Sequence, residues 1–153
     1  HEADKIIQEL DEFRKWANNN PNPENTDWSL TILTFYRAQE HELSRRLRKY
    51  FGSPNFRTFT DKKHHLKVEV CTVDRFQGHE SDVVFLSFVR NGFGVGFLNS
   101  IHRLNVSLTR ARYQLVIFGN QKSFVDAYEK RRHRSKLLHA LAKETRSDIR
   151  WSG

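Results

Sequence analysis

The chain contains no methionine, a single cysteine, three prolines and seven glycines in 153 residues. The lone Cys71 excludes an intrachain disulfide framework. It sits in an apolar run, so a reducing compartment is expected: intracellular, and cytoplasmic or nuclear if the cell is eukaryotic. No apolar run approaches the roughly 20 residues that a membrane-spanning helix requires, and no signal peptide is visible. There is no internal repeat and no low-complexity tract. The absence of methionine, with His1 in first place, reads as a piece of a longer protein.

What is present suits one packed domain. Hydrophobic residues make up 37% and aromatic residues 12%, twelve of them Phe, which argues against disorder. The length fits a single core. Lysine and arginine total 26 against 18 acidic residues, a formal charge of +8. Such a balance points to a polyanionic partner, although a solvated basic surface has the same composition.

Periodicity divides the chain into alternating elements. Residues 2–17 read as a helix, with Ile6, Ile7, Leu10 and Phe13 at helical spacing. The stretch 18–29, "NNNPNPENTDWS", reads as a surface loop. "LTILTF" (30–35) is a buried strand, and 37–51 is a helix ended by Gly52 and Pro54. "LKVEVCTV" (66–73), "DVVFLSFV" (82–89) and "YQLVIFG" (113–119) read as strands. Residues 100–111 read as a helix, and the segment 120–153 is expected to be helical. Strands alternating with helices imply an α/β fold: three layers around a mainly parallel sheet. In such sheets ligands bind beyond the carboxyl ends of the strands, which selects 35–39, 74–80, 91–99 and 120 onward.

Several motifs carry possible chemistry, each beside a plainer reading. In "TVDRFQGHESD" (72–82), Gly78 permits a tight turn and close approach of a ligand, and Glu80 is placed to hydrogen-bond a ribose hydroxyl; a plain β-turn with a solvated glutamate fits the spacing better. "GFGVG" (92–96) matches neither the P-loop nor the dinucleotide fingerprint, since no Lys follows and the glycine spacing is wrong; it reads as a loop. "RLNVSLTRAR" (103–112) places Arg103 and Arg110 two helical turns apart, with Arg112 at the helix end. Arg110 suits a phosphoryl group, as an arginine finger does, while a solvated basic face satisfies the same spacing. The basic runs 44–49 and 130–136 could follow a nucleic-acid backbone or be solvated faces. The adjacent His64 and His65 lack the spacing and company of a metal site. No metal site and no nucleophile–base pairing is expected.

Two segments together resemble a known family. "TVDRFQGHESDVVFLSFVR" with "GFLNSIHRLNVSLTRARYQLVIFGN" resembles motifs V and VI of superfamily 1 helicases. The details are similar to the branch containing the nonsense-mediated-decay helicase, senataxin and Aquarius. "ILTFYRAQ" (32–39) resembles that branch's motif IV, with Phe35 where the family has proline. The resemblance covers roughly residues 1–125. It implies that residues 1–153 form a second, C-terminal RecA-like motor domain of the P-loop-NTPase type, one without its own Walker A loop. A strand upstream of residue 1 is also implied.

Function follows from the same resemblance. ATP and Mg²⁺ would be bound mainly by a first RecA-like domain of the same chain, so the fragment alone should hold no cofactor and hydrolyse nothing. Arg110 would be the catalytic finger on the γ-phosphate. Gly78 and Glu80 would contact phosphate and ribose, with Gln77 beside them and Arg112 and Arg103 organising the site. Thr34, Tyr36 and Thr72 would approach single-stranded DNA or RNA, and no membrane is involved. A nucleic-acid-binding module without ATPase activity is the competing reading.

Overall fold

The computed structural model describes residues 2–88, 110–119 and 149–152. Helix α1 spans Glu2–Asn19 and α2 spans Arg37–Phe51; the strands are β1 (Trp28–Thr34), β2 (Thr58–Asp61), β3 (Leu66–Thr72), β4 (Ser81–Ser87), β5 (Ala111–Phe118) and β6 (Ile149–Ser152). They form one six-stranded sheet in the order β2-β3-β1-β4-β5-β6. Every neighbouring pair is parallel except β2 with β3. The mainly parallel α/β architecture read from the sequence is the one observed, and it is that of a RecA-like fold.

Alternation along the strands sorts the core. Trp28, Leu30, Ile32, Leu66, Val68, Val70, Val83, Phe85, Val116 and Phe118 turn to one face and pack with Ala3, Ile6, Leu10, Leu43 and Leu47 of the two helices. The alternate residues, among them Leu33, Cys71, Val84, Leu86, Leu115 and Ile117, are also buried. A parallel sheet buried on both faces explains why its strands read as continuous apolar runs. Burial pushes the Cys71 thiol up to about 12, so it packs as an apolar residue and is no nucleophile at neutral pH.

Local chemistry sets the boundaries. Helix α1 has Glu2 and Asp4 in its first turn, and the Asp4 charge complements the positive end of the helix dipole. Helix α2 carries Arg48 and Lys49 in its last turn and stops at Gly52, which takes the left-handed conformation (φ 61°) and returns its N–H to the Arg48 carbonyl.

The structure also revises the sequence reading. β1 starts at Trp28, inside the stretch 18–29 read as loop. β2 was not anticipated: "TFTD" is short and half polar, as an edge strand tends to be. The turn between β2 and β3 is the Lys62–His65 segment, where the Asp61 carboxylate accepts the His64 N–H and His65 adopts φ 52°. β5 starts at Ala111, which the sequence had placed in a helix; pairing with Ser81 claims it for the sheet. β6 is a strand within the segment expected to be helical. The expected helix over 100–109, the loop at 92–96, Arg103, the basic run 130–136 and the helices over 120–148 lie outside the described residues.

Candidate functional site

Strand order fixes two opposite edges. The chain enters at β1 in the middle, adds β3 and β2 on one side, then crosses to β4 and β5 on the other. The reversal makes the carboxyl end of β1 the topological switch point, the usual ligand position in such sheets. Thr34 ends that strand and Tyr36 follows it, and Thr34 lies in register with Thr72 of β3 and Ser87 of β4. Tyr36 is half-buried. Thr34 is fully buried and Thr72 nearly so; the Thr34 hydroxyl accepts the Tyr36 N–H at 3.3 Å. The edge is closed by polar contacts. The Ser87 hydroxyl donates to Glu2 at 2.5 Å and lies 3.5 Å from the Gln39 amide nitrogen. Burial, opposed by the Ser87 hydrogen bond and Lys5, raises the Glu2 carboxyl to about 7.

The other edge collects the second group of candidates. Residues 74–80 begin at the carboxyl end of β3 but finish at the amino end of β4. The rule that looks just beyond each strand therefore misplaces Glu80, which ends on the opposite side of the sheet. Phe76 is buried and anchors the segment. The His79 N–H donates to the Phe76 carbonyl at 3.0 Å, closing a four-residue turn. Gly78 is its third residue with φ 85°, where a type II turn requires positive φ. The plain β-turn reading is thus correct for the backbone. Gln77, Gly78 and Glu80 are all exposed, and no atom lies within 4 Å of where a Gly78 Cβ would stand.

Arg110 arrives at the same edge from the start of β5. The Ser81 N–H donates to the Arg110 carbonyl at 2.9 Å, binding the two motif segments together. Arg110 is half-buried. Its Nε and the Ser81 hydroxyl are buried and have no hydrogen-bond partner among the described residues. Buried polar atoms without a partner are costly.

Arg112 has the opposite character. Its guanidinium hydrogen-bonds Glu80 through Nε at 3.1 Å and pairs through Nη2 at 3.0 Å. Its Nη1 lies 3.6 Å from both Glu24 and Asp82. The Glu80 hydrogen bond holds its protonated form still more firmly. Arg112 therefore braces the edge. The sequence reading missed Asp82 and its loop partners. The buried Asp82 carboxylate accepts the Ser29 N–H at 2.9 Å and the Asn22 amide at 3.0 Å, tying the 20–27 loop to β4. A carboxylate two residues beyond Glu80 in an otherwise apolar strand was the available signal. Among the described residues no three His, Cys, Asp or Glu side chains come together to hold a metal ion, and no helix is long and apolar enough to cross a membrane.

Comparison with known proteins identifies the fold's lineage. A family model described as an AAA domain matches residues 1–122. The chain belongs to that family. Within it, this AAA domain is similar to "Helicase sen1" of Schizosaccharomyces pombe, 40% identical over 94 residues. It is 48% identical over 93 residues to the same organism's "Helicase required for RNAi-mediated heterochromatin assembly 1". It is 54% identical over 65 residues to "ATP-dependent helicase NAM7" of Saccharomyces cerevisiae. The matches cover 60%, 60% and 41% of this chain and 5%, 8% and 7% of those proteins. The AAA domain thus lies in the superfamily 1 helicase branch of the nonsense-mediated-decay helicase and senataxin, and it spans a small part of those relatives.

Proposed function

We propose that this chain is the second motor domain of an ATP-dependent helicase or translocase. Its amino-terminal sheet edge would complete a nucleotide site held mainly by a first RecA-like domain, and its carboxyl-terminal edge would face single-stranded DNA or RNA. One observation carries the reading: the Arg110 Nε and Ser81 hydroxyl, without a partner among the described residues, stand at the edge shared with Gly78 and Glu80. The residues suit ATP. Arg110 offers donors to a phosphate, Gly78 leaves open space for one, and Glu80 presents an exposed carboxylate to ribose hydroxyls. The nucleotide, when bound, supplies the phosphoanhydride whose cleavage drives the motor. Magnesium would be held by the first domain.

In this reading Arg110 donates to the terminal phosphate and neutralises charge developing there. Arg112 keeps Glu80 aligned, and the Ser81–Arg110 backbone bond keeps the finger in step with the Gly78 turn. Gln77 borders the same space. At the far edge Tyr36 meets the strand, with the buried Thr34 and Thr72 shaping the floor beneath it.

The test is ATP turnover by the complete two-domain enzyme. Arg110→Ala should lower kcat by about 10³-fold or more, the measured range for a finger. Unchanged turnover would remove Arg110 from the reaction, and no turnover by the wild-type enzyme would leave a nucleic-acid-binding module as the better description. The 153-residue chain alone should show no magnesium-dependent turnover, and detectable hydrolysis by the pure chain would contradict the two-domain reading.

A further inference from the structure

Beside the carboxyl end of β3, three elements converge on one buried carboxylate. Glu40, in the first turn of α2, is only 1% exposed. Its Oε1 accepts a hydrogen bond from Arg57 Nε at 3.1 Å and another from Arg75 Nη1. Arg57 stands just before β2, where its carbonyl accepts the Val70 N–H. Arg75 follows β3 in the turn that leads to Gly78. Both arginine side chains remain partly open to solvent, at 44% and 38% exposure.

Two guanidiniums share a single oxygen of Glu40, and Glu69 is another carboxylate acting on this neighbourhood. Each guanidinium carries five N–H donors and spends one on Glu40. Donors are therefore left over on both guanidiniums at a partly open surface. Next to them stands Phe56, an exposed aromatic at 40%. The Arg57 guanidinium lies 5.7 Å from its ring centroid, and His41 meets the ring edge-on at 5.3 Å. The Ser44 hydroxyl donates to the Phe56 carbonyl and ties this loop to α2. A solvent-facing ring beside fixed cations is the arrangement by which single strands are gripped: bases stack while phosphates are neutralised. An acidic peptide would use the cations but has no need of the ring.

We infer that Arg57, Arg75 and Phe56 form a seat for a backbone phosphate and an adjacent base of a single-stranded nucleic acid, with Glu40 as the positioning residue that holds both arginines. The inference rests on the reading of the carboxyl edge as the nucleic-acid face, and extends that face from Tyr36 toward β2.

The experiment is fluorescence anisotropy of a fluorescein-labelled 15-mer oligouridylate with the 153-residue chain across a salt series. Phe56→Ala should weaken binding about 30-fold, the middle of the range for one lost base stack, and leave the salt slope unchanged. The triple variant E40Q/R57Q/R75Q removes the buried carboxylate together with both cations, so no unpaired charge is stranded. It should weaken binding and lower the slope of log affinity on log salt by about 0.7 for each phosphate released. If the wild-type chain binds and both variants match it in affinity and slope, the seat is overturned while the edge reading stands. If the wild-type chain binds no oligonucleotide, both fall. If poly-glutamate competes as well as the oligonucleotide and Phe56→Ala changes nothing, the patch is an acidic-protein dock and the inference is wrong.

Discussion

At the start of β5 two arginines two positions apart have different company. Arg112 is surrounded by Glu80, Asp82 and Glu24, while the Arg110 Nε has no partner among the described residues. Substituting Arg112 with Gln should lower the urea midpoint only modestly, because its hydrogen-bonded partner Glu80 is exposed and Asp82 keeps its hydrogen bonds from Ser29 and Asn22. Asp82→Ala is expected to be costly. It strands the Ser29 N–H and the Asn22 amide in a buried setting, at about 2–3 kcal/mol in all. Equal losses for the two variants in urea unfolding would contradict this assignment of roles. Gly78 was legible as a turn glycine because few other residues accept φ near 85°; Gly78→Ala should cost about 1 kcal/mol of strain with no clash. Asp82 was less legible. Its importance comes from a loop 60 residues away in sequence.

Among elements, α2 was the most readable. Its span, Gly52 stop and basic last turn all follow from local rules, and the structure begins and ends it at the expected residues, Arg37 and Phe51. Leu43 and Leu47 are fully buried one turn apart. Leu47→Ala should therefore destabilise by about 2–5 kcal/mol in thermal or chemical unfolding, while a substitution at the exposed Arg45 should not. β2 and β6 escaped sequence reading for a common reason. Each is four residues long, and such a segment becomes a strand only when a longer neighbour offers its hydrogen bonds. Phe59, stacked on Phe51 at 5.4 Å, secures β2 against α2, a contact no window of sequence can display.

For the molecule as a whole, pH should act through Glu2. Its carboxyl is raised from 4.5 to about 7 by burial, so the folded state holds the proton more tightly than the unfolded chain. Below pH 4.5 both states are protonated and the group costs nothing. As pH rises from 4.5 to 7 the penalty of keeping a charge at this site grows, and stability falls until it levels off above 7. Glu2→Gln should remove that decline. Melting temperatures of the two proteins should converge near pH 4 and separate toward pH 8; parallel curves would refute the assignment. Asp11 acts in the opposite direction. Hydrogen bonds from Lys15 and Tyr50 hold its carboxyl below the usual range, so its contribution is present at neutral pH and lost in acid.

The sequence by itself determined the α/β alternation, the central parallel strands, the helix ends and the branch of helicases, because these rest on periodicity, capping and a long contiguous motif. It also determined which residue types were candidates for phosphate chemistry. Only the tertiary structure decided where they stand. Residues 74–80 leave from one edge of the sheet and arrive at the other, so Glu80, Arg110 and Arg112 gather at the amino ends of β4 and β5 while Thr34 and Thr72 sink beneath the carboxyl edge. It decided too that Arg75, Arg57 and Glu40, from three separate segments, share one buried oxygen. Side-chain spacing along a chain reports which face a residue occupies within its own element. Which edge of a sheet that element presents, and what is brought beside it, depends on crossovers and burial that arise only when the whole chain packs.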